Sequence, residues 1–323
     1  MDETLSAALQ RWVGDVIHHE GPFTLVPLPS RSANRVFRIE VEASSVQYVL
    51  KLVAPGRVNA LAHERAITDY LAARGFPVAP ILAATEIAAD HGRGQSETAM
   101  LRIAVPGVPL SEVLAAASDT DRDAFIDVLA TLLARVHRLP LDEVRDLWQY
   151  PEDRVDAPAD WATNFVQKKI ASDLARITDA LPEEVRDPFA HEITAWGQWL
   201  TTASVPLAPL HGDYYGDNVL IAHHTVTGVL DWEAARLGDP MWDLARTAAA
   251  AFADVPGAPD AFARFLKMYA EHVPWAVDAH RIRRYRLLMA IGDLRYAVRH
   301  APALISARIP VVVALWQQCR ERD

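Results

Sequence analysis

The chain has 323 residues, 51% of them hydrophobic and 23% charged, with a formal net charge of −10. This length and composition predict a globular protein with more than one small core, and the scattered Gly and Pro exclude collagen-like and repeat architectures. The acidic balance argues against nucleic acid or an anionic membrane surface as the main partner. The longest apolar stretches, 248–253 and 310–316, are shorter than the ~20 residues of a membrane span.

Cysteine usage and the first residues bear on the compartment. The single cysteine, Cys319, cannot form an internal disulfide, which fits a reducing environment. The chain starts with the acidic sequence Met1-Asp2-Glu3, whereas a secretory signal peptide starts with a basic segment and continues into an apolar one. We therefore expect a cytoplasmic protein.

The negative charge is concentrated in the later part of the chain. Residues 1–105 carry 11 acidic and 10 basic side chains, whereas residues 106–323 carry 31 and 22. This excess is typical of a solvated, soluble surface. The alternative interpretation is a surface that attracts a cationic ligand.

The first 105 residues have the pattern of a mostly antiparallel sheet with one inserted helix. After an amphipathic helix, β-branched or alternating runs separated by turn residues predict strands, and one helix interrupts them. A polar segment, 90–96, is expected to form a hairpin loop between the last two strands. The expected helices are 4–18 and 59–74, and the expected strands are 23–28, 35–41, 47–53, 81–87 and 98–105.

After Pro106-Gly107 the pattern becomes helical. A polar, β-branched stretch at 210–233 interrupts this helical part. The expected helices are 119–138, 161–180, 183–202, 241–253, 259–272, 278–300 and 306–320. The sequence thus predicts an α+β protein with two domains, 1–105 and 106–323, joined near 102–107, with a cleft between the domains for a ligand.

The interruption at 210–233 brings polar side chains onto one predicted hairpin. His211-Gly212-Asp213 is followed by Asn218, and Asp231 follows the next β-branched run. Phosphoryl transfer from a nucleotide needs such groups: one carboxylate orients the attacking hydroxyl, while an amide and a second carboxylate hold Mg²⁺. A polar turn with a purely structural role is the alternative interpretation of this segment.

A lysine lies within an apolar run of the third predicted strand. Lys51, in Tyr48-Val49-Leu50-Lys51-Leu52-Val53, would be costly to bury without a partner. Glu64, on the helix that follows, could be that partner, and such a pair aligns the nucleotide phosphates in kinases. Alternatively, Lys51 lies on an edge strand and faces solvent.

Together these motifs resemble the aminoglycoside phosphotransferase/choline kinase family, which has the two-lobed protein-kinase-like fold. The resemblance covers nearly the whole chain: the lysine strand, the glutamate helix, the Pro-Gly joint and the His-Gly-Asp loop. It is particularly close in the segment from Leu230-Asp231-Trp232-Glu233 to Gly238-Asp239-Pro240-Met241-Trp242-Asp243.

The resemblance implies a role for each matching position. Asp213 would be the catalytic base, Asn218 and Asp231 the Mg²⁺ ligands, and Lys51 with Glu64 the phosphate-positioning pair. The backbone from Ile103 to Val105 would hydrogen-bond the purine. The side chains implied to sandwich the base are Val36, Val49, Leu220 and Leu230.

Two positions depart from the protein-kinase pattern. Gly212 replaces the arginine that reads a phosphorylated activation loop in protein kinases, which favours an enzyme that is always active. The loop expected to cover the nucleotide, 29–35, contains no glycine. Ser32 and Asn34 would therefore supply the donors to the phosphates, and both ATP and GTP remain possible donors.

The resemblance implies a small-molecule kinase. The acidic later part favours a cationic acceptor of the aminoglycoside-antibiotic type, while a choline-like amine, a sugar, homoserine or a macrolide are alternatives. Candidate acceptor-side residues are Asp217, Glu233, Glu271, Asp293 and, as a stacking surface, Trp275. A nucleotide-binding pseudokinase, and a metal-dependent hydrolase built on His211, Asp213 and Asp231, are further alternatives.

Overall fold

The computed structural model describes residues 7–28, 34–42, 44–53, 58–87, 97–149, 154–250 and 257–320. The chain forms two compact units. The first unit comprises Met1–Val108 with Asn218–Glu233, and the second comprises Pro109–Asp217 with Ala234–Asp323. Ser32, most of the 29–35 loop and the predicted hairpin loop at 90–96 lie outside the described residues.

The first unit is built on a five-stranded antiparallel sheet with strand order β1-β2-β3-β5-β4. The predicted order β-β-β-α-β-β is confirmed, and most predicted bounds differ by no more than two residues. Its elements are α1 (Ala7–Ile17), β1 (Phe23–Leu28), β2 (Arg35–Val41), β3 (Tyr48–Val53), α2 (Val58–Ala72), β4 (Ile81–Ile87), β5 (Glu97–Ile103), β8 (Val219–Ala222) and β9 (Thr225–Val229).

Both faces of the central strand β3 are covered. Leu50 and Leu52 pack in one core with residues of α1, including Leu9. Successive side chains of a strand point to opposite faces, so Lys51 and Val53 face the other way, where Val53 packs with Leu61 of α2. Every residue of β3 after Tyr48 is therefore buried.

The β8–β9 hairpin belongs to the sheet unit and not to the helical part to which the sequence analysis assigned it. The backbone N–H of Val229 donates to the carbonyl of Pro77 at 2.7 Å, and Val78 forms a parallel bridge with Val229. Thr227 Oγ1 donates to the carbonyl of Pro106. These contacts join segments that are far apart in the chain, so the local pattern of residues 210–233 could not predict the unit to which the hairpin belongs.

The second unit is mainly helical. Two short strands pair antiparallel, and β7 leads directly into the loop that starts at His211. Its elements are α3 (Leu110–Ala116), α4 (Asp119–His137), α5 (Leu141–Val144), α6 (Pro158–Asp160), a π-helix (Trp161–Gln167), α7 (Lys168–Ile177), α8 (Glu183–Leu200), β7 (Ala208–Leu210), β10 (Arg236–Gly238), α9 (Met241–Ala250), α10 (Ala258–Glu271), α11 (Ala279–His300) and α12 (Ile305–Arg320), with β6 (Val108–Pro109) at the boundary.

The core of the helical unit is aromatic. Trp161 stacks on Phe165 and meets Trp242 and Tyr285 edge to face. The helix predicted at 161–180 therefore starts as a π-helix, and α3 and α5 were not predicted. No helix among the described residues is long and apolar enough to cross a membrane.

The N-terminus of α9 is fixed inside this core. Asp239 accepts a hydrogen bond from the backbone N–H of Met241 at 3.1 Å and another from the Tyr285 hydroxyl at 3.0 Å. Arg281 lies 3.4 Å from the same carboxylate. Burial raises the pKa of Asp239 to about 6, although Arg281 partly offsets this effect.

Candidate active site

Lys51 is the centre of a buried charge cluster in the first unit. The residue is 3% exposed, and its Nζ lies 3.2 Å from both Asp231 Oδ1 and Glu233 Oε2. The structure excludes the alternative of a solvent-facing lysine on an edge strand, because β3 is the central strand. A buried ammonium surrounded by carboxylates is the arrangement that compensates the cost of its desolvation.

The carboxylates keep Lys51 charged. Burial by itself would lower the pKa of Lys51, but the neighbouring acids, Asp231 foremost, more than offset it, and the pKa lies above its ordinary value. Burial raises the pKa of Glu64 to about 7, and the Lys51 ammonium opposes this rise. The cluster therefore holds a permanent cation beside a carboxyl that ionises near neutral pH.

Glu64 interacts with Lys51 through charge, but the Lys51 hydrogen bonds go to Asp231 and Glu233. Glu64 is 1% exposed, and its buried Oε2 atom has no hydrogen-bond partner among the described residues. An orphaned carboxylate oxygen in such a place can accept a hydrogen bond from a group that moves toward it.

Glu233 occupies a different place from the one that we expected. We assigned it to the acceptor side, but it lies in the turn after Asp231 and binds Lys51. The reason is local: the 3₁₀ turn over Trp232–Ala234 brings the side chain two positions after Asp231 back to the same ammonium group.

Asn218 and Asp231 flank the same end of the β8–β9 hairpin. Val219 pairs with Val229, and the Leu230 N–H donates to the Asn218 carbonyl at 2.8 Å. Asp231 follows with a left-handed backbone, φ 60°. Amide and carboxylate oxygens are hard donors that suit Mg²⁺, so these residues fit a magnesium site.

The described residues contain no group of three or more His, Cys, Asp or Glu that could hold a metal ion. Mg²⁺ commonly binds through one or two protein ligands, completing its shell with substrate phosphates and water. A purely protein-made metal centre, which the hydrolase alternative requires, is therefore not present in the described part of the chain.

The side chains expected to sandwich a nucleotide base all belong to the first unit. Val36 pairs with Lys51 in the β2–β3 register, and Val49 lies two positions before Lys51, on the same face of the strand. Leu220 lies opposite Gly228 in the hairpin. A Cβ atom on Gly228 would lie 2.7 Å from Val105 Cγ2, so Val105 packs directly against the hairpin.

The backbone N–H groups of residues 103–105 are the expected donors to a base, and two of them donate to carbonyl groups of the protein. The N–H groups of Ile103 and Ala104 donate to the carbonyls of Pro80 and Gln47, each at 2.9 Å. The N–H of Val105 is the remaining donor of the predicted 103–105 segment. Of the two residues expected to donate to the phosphates, Asn34 is described, and it is half-buried directly before β2.

In the second unit, Asp213 lies in a loop that follows β7. His211 Nδ1 accepts a hydrogen bond from the Asp213 N–H at 3.2 Å, so His211 braces the loop. Asp213 Oδ1 lies 2.5 Å from Arg246 Nε of α9. The carboxylate is about one-third exposed, at 32%.

Gly212 has a backbone conformation and a position that exclude a side chain. Its φ is +83°, and a Cβ atom would lie 2.2 Å from the carbonyl oxygen of Ala234. The left-handed region favours glycine. The glycine at this position, where protein kinases have arginine, is therefore required by local packing.

The other acceptor-side candidates do not form one cluster in the described contacts. Asp217 accepts a hydrogen bond from the Ser111 hydroxyl, and Trp275 Nε1 donates to the Tyr269 hydroxyl at 3.2 Å. Glu271 and Asp293 are exposed on α10 and α11. No contact between these candidates supports a joint role.

Three residues without a predicted role contact the predicted groups. Arg102 lies 3.7 Å from Asp231, Asp243 accepts from the loop backbone at His211, and Arg246 pairs with Asp213. Arg102 is a cation within an apolar strand, which is the same sequence signal that identified Lys51. Asp243 and Arg246 are three positions apart, so they lie on one face of a predicted helix, and this spacing was the available sequence signal.

Comparison with known proteins agrees with this architecture. The model of the phosphotransferase enzyme family (APH) matches residues 24–285. A search of curated proteins found no match.

Several solved structures are similar to this chain. An aminoglycoside-3'-phosphotransferase of type VIII is 24% identical with a TM-score of 0.61, over 88% of this chain and 97% of that chain. APH(3'')-Id from Streptomyces rimosus, in complex with ADP and streptomycin, is 24% identical with a TM-score of 0.57, over 88% and 98%. The macrolide 2'-phosphotransferase MphH from Brachybacterium faecium is 22% identical with a TM-score of 0.62, over 93% and 98%.

These likenesses confirm the predicted α+β, protein-kinase-like fold with a sheet unit and a helical unit. The family model covers most of the sequence, including the lysine strand, the His-Gly-Asp loop and α9. The chain belongs to the phosphotransferase enzyme family.

Proposed function

We propose that this protein is an Mg²⁺-dependent kinase that transfers the γ-phosphoryl group of ATP to a hydroxyl group of a small molecule. The observation that carries the proposal is the buried Lys51, whose ammonium is held by Asp231 and Glu233 at 3.2 Å and interacts with Glu64. Apolar side chains could fill this place without any buried charge, so stability alone does not require the cluster. Nucleotide phosphates are the anions that such a lysine aligns in kinases.

In the proposed complex, the α- and β-phosphates bind the Lys51 ammonium. Glu64 then supports Lys51 from α2, and the buried Oε2 atom without a partner is available to accept a hydrogen bond from it. Asn218 and Asp231 would hold Mg²⁺, which supplies positive charge to the phosphates when bound.

The reaction needs one further carboxylate. Asp213 orients the acceptor hydroxyl, whose oxygen forms a bond to the γ-phosphorus while the bond from that phosphorus to the β–γ bridging oxygen breaks. The hydroxyl proton passes to Asp213, and the products are a phosphate ester and ADP. Positioning and charge neutralisation account for most of the rate in such a reaction.

ATP is the proposed donor, and GTP is the alternative. Val36, Val49, Leu220 and Leu230 would enclose the base, and the Val105 N–H would donate to it. Ser32 and Asn34 would contribute donors to the phosphates. Two similar proteins are described in complexes that contain ADP, which favours an adenine nucleotide.

For the acceptor we propose an aminoglycoside-type antibiotic first. Residues 106–323 carry the excess of acidic side chains, which suits a polycationic ligand, and the similar structures include complexes with streptomycin and hygromycin B. A macrolide is the second candidate, because MphH is a macrolide phosphotransferase. A choline-like amine, a sugar or homoserine complete the acceptors to be tested.

The test is a transfer assay with MgATP and this acceptor panel, read by the mass increase of one phosphate group on the acceptor. The proposal expects transfer by the wild type and loss of about 100-fold or more in Asp213→Ala. The matched control is Asp127→Ala, since Asp127 also pairs with an arginine at 2.5 Å, between α4 and α10. Unchanged transfer by Asp213→Ala would overturn the role of Asp213.

A pseudokinase is the alternative from another class. It predicts that MgATP raises the melting temperature without transfer to any acceptor or to water. The residues proposed for phosphate, metal and proton handling are all present, which favours the enzyme.

A further inference from the structure

Helix α9 holds the 211–215 loop at successive residues. The two carboxylate oxygens of Asp243 accept the backbone N–H groups of His211 at 2.7 Å and Gly212 at 2.8 Å. Thr247 Oγ1 donates to the Tyr214 carbonyl at 2.9 Å. These bonds fix the path of the backbone, but none of them fixes the side chain of Asp213.

Arg246, on the same face of α9, contacts that side chain. Its Nε donates to Asp213 Oδ1 at 2.5 Å, and its guanidinium carbon lies 4.9 Å from the centre of the Tyr215 ring. The ring limits the motion of the guanidinium, which is otherwise a flexible group. The arginine is thus held between Asp213 and the side chain two positions further along the loop.

Charge and geometry act together in this pair. The guanidinium of Arg246 is a cation, so it attracts the Asp213 carboxylate. Its planar guanidinium also favours one direction of approach to a carboxylate oxygen.

We propose that Arg246 is a positioning residue that holds the Asp213 carboxylate in one orientation, toward the acceptor hydroxyl. The inference rests on the proposed function, because it assumes that Asp213 receives the proton of that hydroxyl. Arg246 does not itself touch the reacting atoms in this account. Its contribution is to the rate of transfer and not to the binding of MgATP.

The experiment compares Arg246→Gln, Arg246→Lys and Arg246→Ala with the wild type, using the panel acceptor that the wild type phosphorylates fastest. The matched control is Arg264→Gln, because Arg264 pairs with Asp127 at the same 2.5 Å and is similarly half-exposed, but on α10. We measure kcat, the KM for MgATP and the melting temperature of each variant.

We expect kcat of Arg246→Gln to fall about 100-fold, because a small misplacement of a catalytic group costs that much. The KM for MgATP should change less than about twofold, and Arg246→Lys should recover about a tenth of the lost rate. Added guanidinium ion should raise kcat of Arg246→Ala but not of the wild type. Rescue of this kind would not be expected from a purely structural residue.

The proposal is overturned if kcat falls no further in Arg246→Gln than in Arg264→Gln, or if the loss follows the melting temperature without rescue. If the wild type phosphorylates no acceptor, the proposed function fails separately. A crystal structure of Arg246→Gln then decides the inference. The Asp213 carboxylate should leave its wild-type position while Asp243 keeps both loop N–H groups, and an unmoved carboxylate overturns it.

Discussion

Lys51 and Asp231 are 180 positions apart in the chain, and their side chains meet at 3.2 Å inside the sheet unit. The contact joins the central strand β3 to the residue after Leu230 at the end of the β8–β9 hairpin, and both belong to the first unit. Removing one partner of a buried ion pair leaves a charge without compensation. A substitution of either residue should therefore change both the candidate site and the stability of the sheet unit.

Gly212 offers a sharp test of the loop geometry. Gly212→Ala adds a Cβ atom that would lie 2.2 Å from the Ala234 carbonyl oxygen, at a φ of +83°. We expect a loss of about 3 kcal/mol or more in the free energy of unfolding, because strain and overlap add. Urea denaturation measures it.

The control for this variant is Gly75→Ala. Gly75 also has a positive φ, +68°, but nothing lies within 4 Å of its added Cβ atom. It should lose only about 1 kcal/mol, the conformational cost alone. Equal losses in the two variants would show that the carbonyl of Ala234 does not confine the loop.

Asp243→Asn tests the anchor of the loop backbone. The substitution replaces one of the oxygens that accept from His211 and Gly212 by a donor and weakens the buried contact with His137 at 3.1 Å. We expect a loss of about 2–4 kcal/mol in stability and a large loss of phosphoryl transfer.

The matched variant is Asp173→Asn, which disrupts another buried carboxylate, paired with Lys169 at 2.5 Å and with Arg295. It should lose comparable stability but retain kcat when assayed below its melting temperature. If Asp243→Asn also retains kcat, the hydrogen bonds from the loop backbone to Asp243 are not needed for the reaction.

Asp239 makes stability depend on pH. The pKa of its carboxyl is about 6 in the folded protein against an ordinary value of 3.8, so the folded state binds the proton more tightly between these values. Its contribution to stability is therefore present below about pH 4 and is lost as pH rises through about 6.

Asp239→Asn removes this dependence, since the amide does not titrate and its oxygen can still accept the Met241 N–H. We compare the unfolding free energies of the variant and the wild type at each pH. From pH 4.5 to pH 7, this difference should change by about 2 kcal/mol in favour of the variant. Denaturation at both pH values measures the gain. A difference between variant and wild type that does not change with pH contradicts the assignment.

Much of the fold could be predicted from the sequence, because alternation and turn residues are local signals. Strands β1, β2 and β4 have the predicted bounds. The π-helix at Trp161–Gln167 and the place of the β8–β9 hairpin were not predictable in this way. The first contains Trp161, which packs against the distant Trp242, and the second involves backbone pairing with Val78, so both include contacts between segments far apart in the chain.

The site was predictable where a residue contradicts its local pattern. A lysine within an apolar strand identified Lys51, and the structure places it beside Asp231. The same reasoning could have identified Arg102, but nothing local shows that Glu233 turns back to Lys51 or that Arg246 reaches Asp213. Those contacts depend on tertiary structure, which places α9 beside the loop.

The central claim is that the Lys51 cluster binds the phosphates of a nucleotide, and a thermal-shift measurement with MgATP tests it most directly. In the wild type, MgATP should raise the melting temperature while Mg²⁺ alone does not. Lys51→Met should abolish the MgATP shift, whereas Lys169→Met, which breaks the exposed side of the Lys169–Asp173 pair, should keep it. A full MgATP shift in Lys51→Met, or none in the wild type, would contradict the account.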